Sequence, residues 1–516
     1  MLRVILWIAK YTAVVCVLYM HFNPMNMKRL LTVYPMLLLA FMACRNDAEP
    51  RFYDDPLPAL ADGYVGMCNG EFVIDGEKWF PLMLNYKAHM TSVGDSFIVS
   101  PASYYHGNSL REHFDTIASW GFDAIRVCLD VLPSGGDTAA MFRATRRMLQ
   151  CADSAGLRVM LLIKPPFDPY WQEYTKGLLR HLADMKALWA YDFMNEPLYF
   201  DPEPERDKMD AARLVSEWRH WVRQYAPHQL FTVSTSEPIE VFEWDPAMLP
   251  VDFIEMHTYH PLRVCSEMWR YSHYCGKPWM VGETGLPADN DSVPYGWQVD
   301  FMAESFFDAV SYGAIGYGWW EFQDCPDGVN FEAQYTGLRN SQGYPKHPEV
   351  RFFRYWMCLG PDDDPQIPAN YYNMMGYRNI CLTGQVIDAS DGTPVEGAVV
   401  RGWNDDWSVG MNTFTDSNGR FTLYSNDFNV HFEVSAPGMS RKKFNRDNIR
   451  YDNPGGIDQL NLPNRKLEYQ QIDYRPFMSF DQEGLMVSIF PFDTRPFVRY
   501  SLAGDLGTIK LRKITQ

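Results

Sequence analysis

Short apolar runs alternate with amphipathic segments between about residues 60 and 360. The runs at 80–84, 124–129, 158–163, 190–194, 230–233, 253–257, 279–282 and 314–319 read as strands. The stretches at 109–120, 139–155, 174–187, 208–225 and 296–312 read as helices. Strand–helix alternation predicts parallel strands covered by helices, because a parallel neighbour needs a long crossover. Eight such runs fit a closed TIM (β/α)8 barrel better than an open doubly wound sheet. No Gly-x-Gly-x-x-Gly follows the first run, which argues against a dinucleotide site.

The texture changes after Pro361-Asp362-Asp363-Asp364-Pro365, a Pro- and acid-rich stretch that reads as a linker. Beyond it, alternating segments at 380–387, 392–400, 415–423 and 506–511 are separated by Asx/Gly turns. That pattern predicts a small β-sandwich, with 440–500 as a long irregular insertion. The segments resemble the carboxypeptidase regulatory-like domain. The chain therefore divides into a leader (1–43), a tether (44–58), a barrel (59–360), a linker (361–376) and a sandwich (377–516).

The leader holds Arg3, Lys10, Lys28 and Arg29 and no acid. Its second apolar run follows Met27-Lys28-Arg29 and ends at Phe41-Met42-Ala43-Cys44, the layout of a signal peptide. This end resembles a bacterial lipoprotein signal, which implies lipidation of Cys44 and a membrane anchor outside the cytoplasm. Met27 reads as the natural start, and a transmembrane helix at 2–20, interrupted by Lys10, is the alternative. Asn46-Asp47-Ala48-Glu49 resembles the surface-export signal of Bacteroidetes lipoproteins, so the outer membrane or cell surface is expected, with the periplasm second.

The whole chain has 46 Lys plus Arg against 64 Asp plus Glu, a formal charge of −18. A basic nucleic-acid binder is excluded on that balance. The ten cysteines include no CxxC and no zinc spacing, so no metal is expected. Cys265 and Cys275 are a possible pair in an exported protein, and buried free thiols are the competing reading. Aromatics make up 15% of the chain, consistent either with core packing or with stacking on a flat ligand.

In a TIM barrel the chemistry sits where strands end and βα loops begin. The strand ends carry Asn85, Arg126 with Asp130, Lys164-Pro165-Pro166, Asn195-Glu196-Pro197, Ser234 to Glu237, His257-Thr258-Tyr259-His260, Glu283-Thr284-Gly285 and Trp319-Trp320-Glu321. Glu196 and Glu283 thus project from opposite sides of one mouth. Double displacement at a glycosidic carbon needs that disposition: one carboxyl protonates the leaving oxygen and the other attacks from the far face. His257 and His260 lie three apart on an extended strand, hence on opposite faces, which excludes them as a shared metal site. Trp319 and Trp320 also point opposite ways. Glu237, Glu321 and Asp324 lie near the mouth and read at most as substrate contacts.

Residues 60–360 resemble clan A glycoside hydrolases, in the style of glycoside hydrolase family 5. The resemblance rests on Asn195-Glu196-Pro197, Gly282-Glu283-Thr284-Gly285, Gly121 to Arg126, the His257-x-Tyr259 pair and Trp320. It implies Glu196 as acid/base and Glu283 as nucleophile, with Arg126 and Tyr259 steadying the nucleophile's charge. It further implies that Asn195 meets a sugar hydroxyl, that Trp320 stacks under the sugar, and that no cofactor is needed. For Arg126 a structural ion pair, and for His257 a satisfied barrel histidine, are the bland alternatives. Many family 5 enzymes place a histidine where Lys164-Pro165-Pro166 stands here. Tyr170 and Trp171 are candidates for sugar stacking or for loop packing.

The expected function is a retaining β-glycosidase acting on a polysaccharide or oligosaccharide of β-glucan or β-mannan type. A non-catalytic glycan-binding surface lipoprotein is the alternative. No Gly-x-Ser-x-Gly elbow supports a serine hydrolase. Trp403 and Trp407 are the suggestive aromatic cluster of the sandwich, against a plain spacer or scaffold role.

Overall fold

The computed structural model describes residues 52–347, 376–459 and 497–515. Within these, 95, 108, 132–136, 260–263, 292, 378–379, 406–409, 426–427, 429–430, 446–448 and 453–455 are left out. Cys44, His260, Trp407 and the proposed linker at 361–365 lie outside the described residues.

Eight parallel strands close into a barrel. They are Leu82–Val93, Ala124–Asp130, Arg158–Leu162, Leu188–Asn195, Leu230–Thr235, Ile254–His257, Trp279–Glu283 and Tyr317–Trp319. Closure pairs Tyr317, Gly318 and Trp319 of the eighth strand with Leu82, Met83 and Leu84 of the first. The TIM barrel expected from the alternation of apolar runs is therefore present. Helices cover it at Leu110–Ser119, Thr138–Ser154, Pro169–Leu182, Lys208–Tyr225, Val264–Tyr274 and Tyr295–Ser311. The helix Pro169–Leu182 starts earlier than the sequence pattern indicated, because Asp168 caps the Tyr170 and Trp171 amides and Pro169 fits the first turn.

Two features were not anticipated. The first strand runs on well past Leu84 and folds back as a hairpin with Ser96–Pro101, carrying Asn85, Lys87 and His89 along the mouth side. A three-stranded meander, Val65–Cys68, Glu71–Ile74 and Glu77–Lys78, packs under the amino-terminal strand ends. Its fully buried Phe72 meets Trp189 and Phe253 edge-on, with centroids 5.1 and 4.9 Å away. The floor of the barrel is thereby covered.

The tether expected at 44–58 is corrected in its last part. Residues 53–56 are docked on helix Lys208–Tyr225: the Asp55 carboxylate meets His220 at 3.0 Å, its carbonyl accepts from Arg219, and the Pro56 carbonyl accepts from Arg223 at 2.9 Å. The basic face of that helix explains the docking.

The carboxy-terminal part is a sandwich of two four-stranded sheets. One orders Arg420–Ser425, Ile380–Asp388, Leu502–Leu511 and Tyr451–Asp452; the other orders Gly410–Phe414, Val399–Trp403, His431–Ser435 and Lys442–Asn445. Leu382, Val386, Val400, Leu423, Phe432, Val434 and Ile509 fill the space between them. Gly419, at φ +67°, completes a turn in which Asp416 Oδ1 accepts the Asn418 and Arg420 amides, as its sequence predicts. Four strands, Lys442–Asn445, Tyr451–Asp452, Gly456–Gln459 and Phe497–Tyr500, fall in what read as irregular insertion. Trp403 stacks on His431 at 5.6 Å.

Barrel and sandwich belong to one compact unit. Buried Lys208 ties them: its Nζ donates to Asp245 at 2.8 Å and to the Ala436 and Met439 carbonyls at 3.0 and 2.8 Å. The Gly438 amide meets the same Asp245 carboxylate at 2.8 Å. Lys208→Met strands a buried carboxylate, a loss of about 3–5 kcal/mol. Equilibrium urea unfolding followed by fluorescence and circular dichroism should give one transition for the wild type and an earlier, split transition for this variant. An unchanged midpoint would refute the role given to Lys208.

Candidate active site

Strand register brings the polar residues to one level. Asn85 pairs with Arg126, Asn195 with Ser234, and His257 with Glu283 across neighbouring strands. The register shifts between Asp192 and Asn195 and between Met256 and His257. Such irregularities turn a strand's last side chains toward the barrel axis. Glu196, directly after the fourth strand, has φ +40°, a left-handed conformation unusual for a residue with a side chain. Its amide donates to the Ser234 carbonyl at 3.0 Å, and its carbonyl accepts from Tyr199 at 2.9 Å.

Arg126 is fully buried at the centre. Its guanidinium bonds Glu283 Oε1, Asp192 Oδ2 (2.7 Å), Asn85 Oδ1 (3.1 Å), Asn195 Oδ1 (2.8 Å) and Ser234 Oγ (3.2 Å). Glu255 Oε1 lies 3.2 Å from its Nε. Arg126 thus meets Glu283 and also pairs with the buried acids Asp192 and Glu255.

Glu283 is 4% exposed, and Tyr259 donates its hydroxyl to Oε2. Burial alone would raise this carboxyl. The positive charges of His257 and Arg126 and the Tyr259 hydrogen bond outweigh burial and hold it below the usual carboxylate range. His257 Nδ1 lies 2.7 Å from Glu196 Oε1 and 3.5 Å from Glu283 Oε2. Burial opposes its protonation, but the Glu283 charge, the hydrogen bond to Glu196 and the nearby Glu255 carboxylate push its pKa up to about 10. His257 is therefore an imidazolium at neutral pH, held between the two carboxylates.

Glu196, His257 and Glu283 offer donor atoms all within 4.8 Å of one another, the one such acid–histidine group among the described residues. An imidazolium has no lone pair for a metal. The set fits a hydrogen-bonded ion cluster better than a cation site.

Trp319 is fully buried and donates its indole N–H to the Thr336 carbonyl at 3.1 Å, so it faces the helical layer. Trp320 is part-exposed, and Lys87 Nζ lies 4.6 Å from its ring centre. Period-two alternation separated the two tryptophans; the structure gives the mouth to Trp320. Trp171 packs against the barrel core, edge-on to Tyr174 at 5.2 Å, which favours loop packing; Tyr170 sits edge-on to Trp171. Lys164 is exposed.

One expectation is corrected. Glu321 is buried and held by Lys87 (3.3 Å), Tyr104 (3.3 Å) and Tyr105 (2.9 Å). Asp324 is buried against Lys346 at 2.8 Å. Burial and these bonds make both structural rather than substrate contacts. Cys275 is a free, half-buried thiol.

Sequence reasoning passed over Lys87, Asp192, Glu240 and Glu255. Asp192 and Glu255 were visible as charges inside otherwise apolar strands, a pattern that demands a buried partner.

No protein-family model and no curated protein matches the sequence. Solved structures similar to the chain include the exo-β-1,4-mannosidase Op5Man5 from Opitutaceae bacterium strain TAV5, at 19% identity and a TM-score of 0.44. The alignment covers 57% of this chain and 62% of the mannosidase, so the chain spans less than two thirds of that protein. The endo-1,4-β-mannanase from Eisenia fetida aligns at 16% identity and a TM-score of 0.37, over 54% of this chain and 94% of its own. The β-glucosidase from Thermotoga maritima aligns at 10% identity and a TM-score of 0.41, over 55% of this chain and 98% of its own.

Replacing Arg126 by Met leaves Asp192 and Glu255 buried without their cation. Loss of one partner of a buried pair costs about 3–5 kcal/mol. Equilibrium denaturation should show that loss, and a change below about 1 kcal/mol would contradict the balance of charges described.

Proposed function

We propose that the protein is a retaining β-glycosidase acting on a β-linked glucan- or mannan-type glycan, with Glu283 as nucleophile and Glu196 as acid/base. One observation carries the reading. Carboxylate oxygens of Glu196 and Glu283, from the fourth and seventh strands, lie within 4.8 Å across the open end of the barrel. Retaining enzymes hold their carboxyls about 5 Å apart, whereas inverting enzymes leave room for a water.

In the first step Glu196 gives its proton to the glycosidic oxygen as the bond from that oxygen to C1 breaks. Glu283 attacks C1 from the opposite face and forms a glycosyl ester. Water then enters on the vacated side, Glu196 takes its proton, and the ester bond breaks to release the sugar with its original anomeric configuration. Arg126 and Tyr259 keep Glu283 ionised for attack. Imidazolium His257 fixes the Glu196 carboxyl through Nδ1. Asn195, whose Oδ1 is engaged by Arg126, keeps its amide N–H groups for a sugar hydroxyl. Trp320 supplies a flat apolar face to the sugar ring.

Reducing-sugar release from a panel of β-glucans and β-mannans tests the proposal. The wild type should cleave at least one, and Glu283→Gln should lose about 10³-fold or more in kcat with fold intact. The depressed Glu283 carboxyl stays ionised above its ordinary value and loses its charge only as pH falls further. The acid limb of kcat/KM should therefore lie below about pH 4.5. Equal activity of wild type and Glu283→Gln would instead favour a glycan-binding barrel without this chemistry.

A further inference from the structure

Glu240 lies outside the carboxylate pair, on the 3-10 turn Pro238–Phe242 that follows the fifth strand. It is 1% exposed. Its Oε1 accepts from the Leu198 amide at 3.0 Å, from Ser236 Oγ at 3.2 Å and from the Ser236 amide at 3.4 Å. Oε2 has no hydrogen-bond partner among the described residues. Burial, only partly offset by these bonds, pushes the carboxyl up to about 8. A buried acid with half its hydrogen-bonding capacity unused is a costly way to hold a loop together.

Its position explains it. Leu198 is two residues past Glu196, in the single turn Pro197–Phe200 that the left-handed Glu196 backbone enters. A second tie joins the same loops, from the Tyr199 hydroxyl to Glu237 Oε1 at 3.3 Å. On its other side the 3-10 turn rests on the sandwich. Val241 and Phe242 share a buried cluster with Val399 and Phe414, with Ile239 packed against it. Phe414 also lies 3.5 Å beneath the Arg270 guanidinium. Sandwich, 3-10 turn, Glu240 carboxyl, Leu198 amide and Glu196 form one continuous line of contacts.

We propose that Glu240 is a positioning residue that ties the backbone after Glu196 to the turn carried by the sandwich, so that the carboxy-terminal domain sets the aim of the acid/base. The sandwich is then part of the catalytic apparatus, without touching substrate. The inference rests on the reading of Glu196 as acid/base.

Glu240→Leu, of similar size, removes the acceptor. Glu240→Gln keeps it. On an unactivated β-glycoside, Glu240→Leu should lose about 10- to 100-fold in kcat with KM little changed, the scale expected for a misaimed catalytic group. Glu240→Gln should restore at least half of wild-type kcat. On a 2,4-dinitrophenyl glycoside, whose leaving group needs no proton, glycosylation by Glu240→Leu should fall less than about 3-fold. A misfolded site would depress both substrates alike, and equal losses on the two overturn the proposal. Phe414→Ala, on the sandwich side, should reproduce the selective loss and serves if Glu240→Leu does not fold. Hydrogen exchange of the Leu198 amide gives a readout independent of turnover: it should quicken in Glu240→Leu and not in Glu240→Gln. If the wild type cleaves no glycoside, the function proposed above fails, while unchanged Leu198 exchange refutes the tether itself.

Discussion

The site depends on one buried positive charge. Arg126 has no contact with solvent, and its guanidinium reaches groups on the first, fourth, fifth, sixth and seventh strands. A guanidinium offers five N–H donors in a fixed plane, and here those directions are taken by carboxylates, amide oxygens and a hydroxyl. A lone cation in this place would be prohibitive, as would Asp192, Glu255 and Glu283 without it. The strands must therefore close in the register that lets all of them meet. The arrangement that satisfies this buried charge also fixes one oxygen of Glu283.

The second charge, His257, divides the labour between the two carboxylates. It reaches both Glu196 and Glu283, and it stays protonated because the acids around it outweigh the cost of burial. Glu283, held by Arg126, Tyr259 and His257, is kept as an anion. Glu196 sits on a strained backbone at the strand end and is steadied from outside the barrel axis. Its loop is pinned to the fifth strand, to the 3-10 turn and, through that turn, to the sandwich. Rigidity for one carboxylate comes from the barrel interior; for the other it comes from packing at the rim.

The eight strands were legible because each is a dense apolar run flanked by a polar end, and the polar ends held Asn195, Glu196, His257, Tyr259, Glu283 and Trp320. Arg126 was legible only as part of a motif. Its pairing with Glu283 was implied by that motif alone; its pairing with Asp192, 66 residues away, and with Glu255 was not legible, because it is decided only on closure. Lys87 escaped notice because polar residues facing the mouth interrupt the apolar run after Leu84, so the strand read as ended. Helix Val264–Tyr274 was missed although Val264, Met268 and Tyr271 repeat at helical spacing; polar and aromatic residues between them blur the stripe. The barrel floor and the interface with the sandwich had no local signature, because both are made of ordinary apolar residues whose neighbours are distant in sequence.

The central claim is that Glu283 becomes covalently bonded to sugar. Incubation with 2-deoxy-2-fluoro-β-glucosyl and β-mannosyl fluorides, followed by intact mass and peptide mapping, tests it directly. The 2-fluoro group slows breakdown of a glycosyl ester and lets it accumulate. The structure predicts one fluoroglycosyl adduct per chain, on the peptide containing Glu283. Label on Glu196 or another residue, or glycoside cleavage that yields product of inverted anomeric configuration, would contradict it.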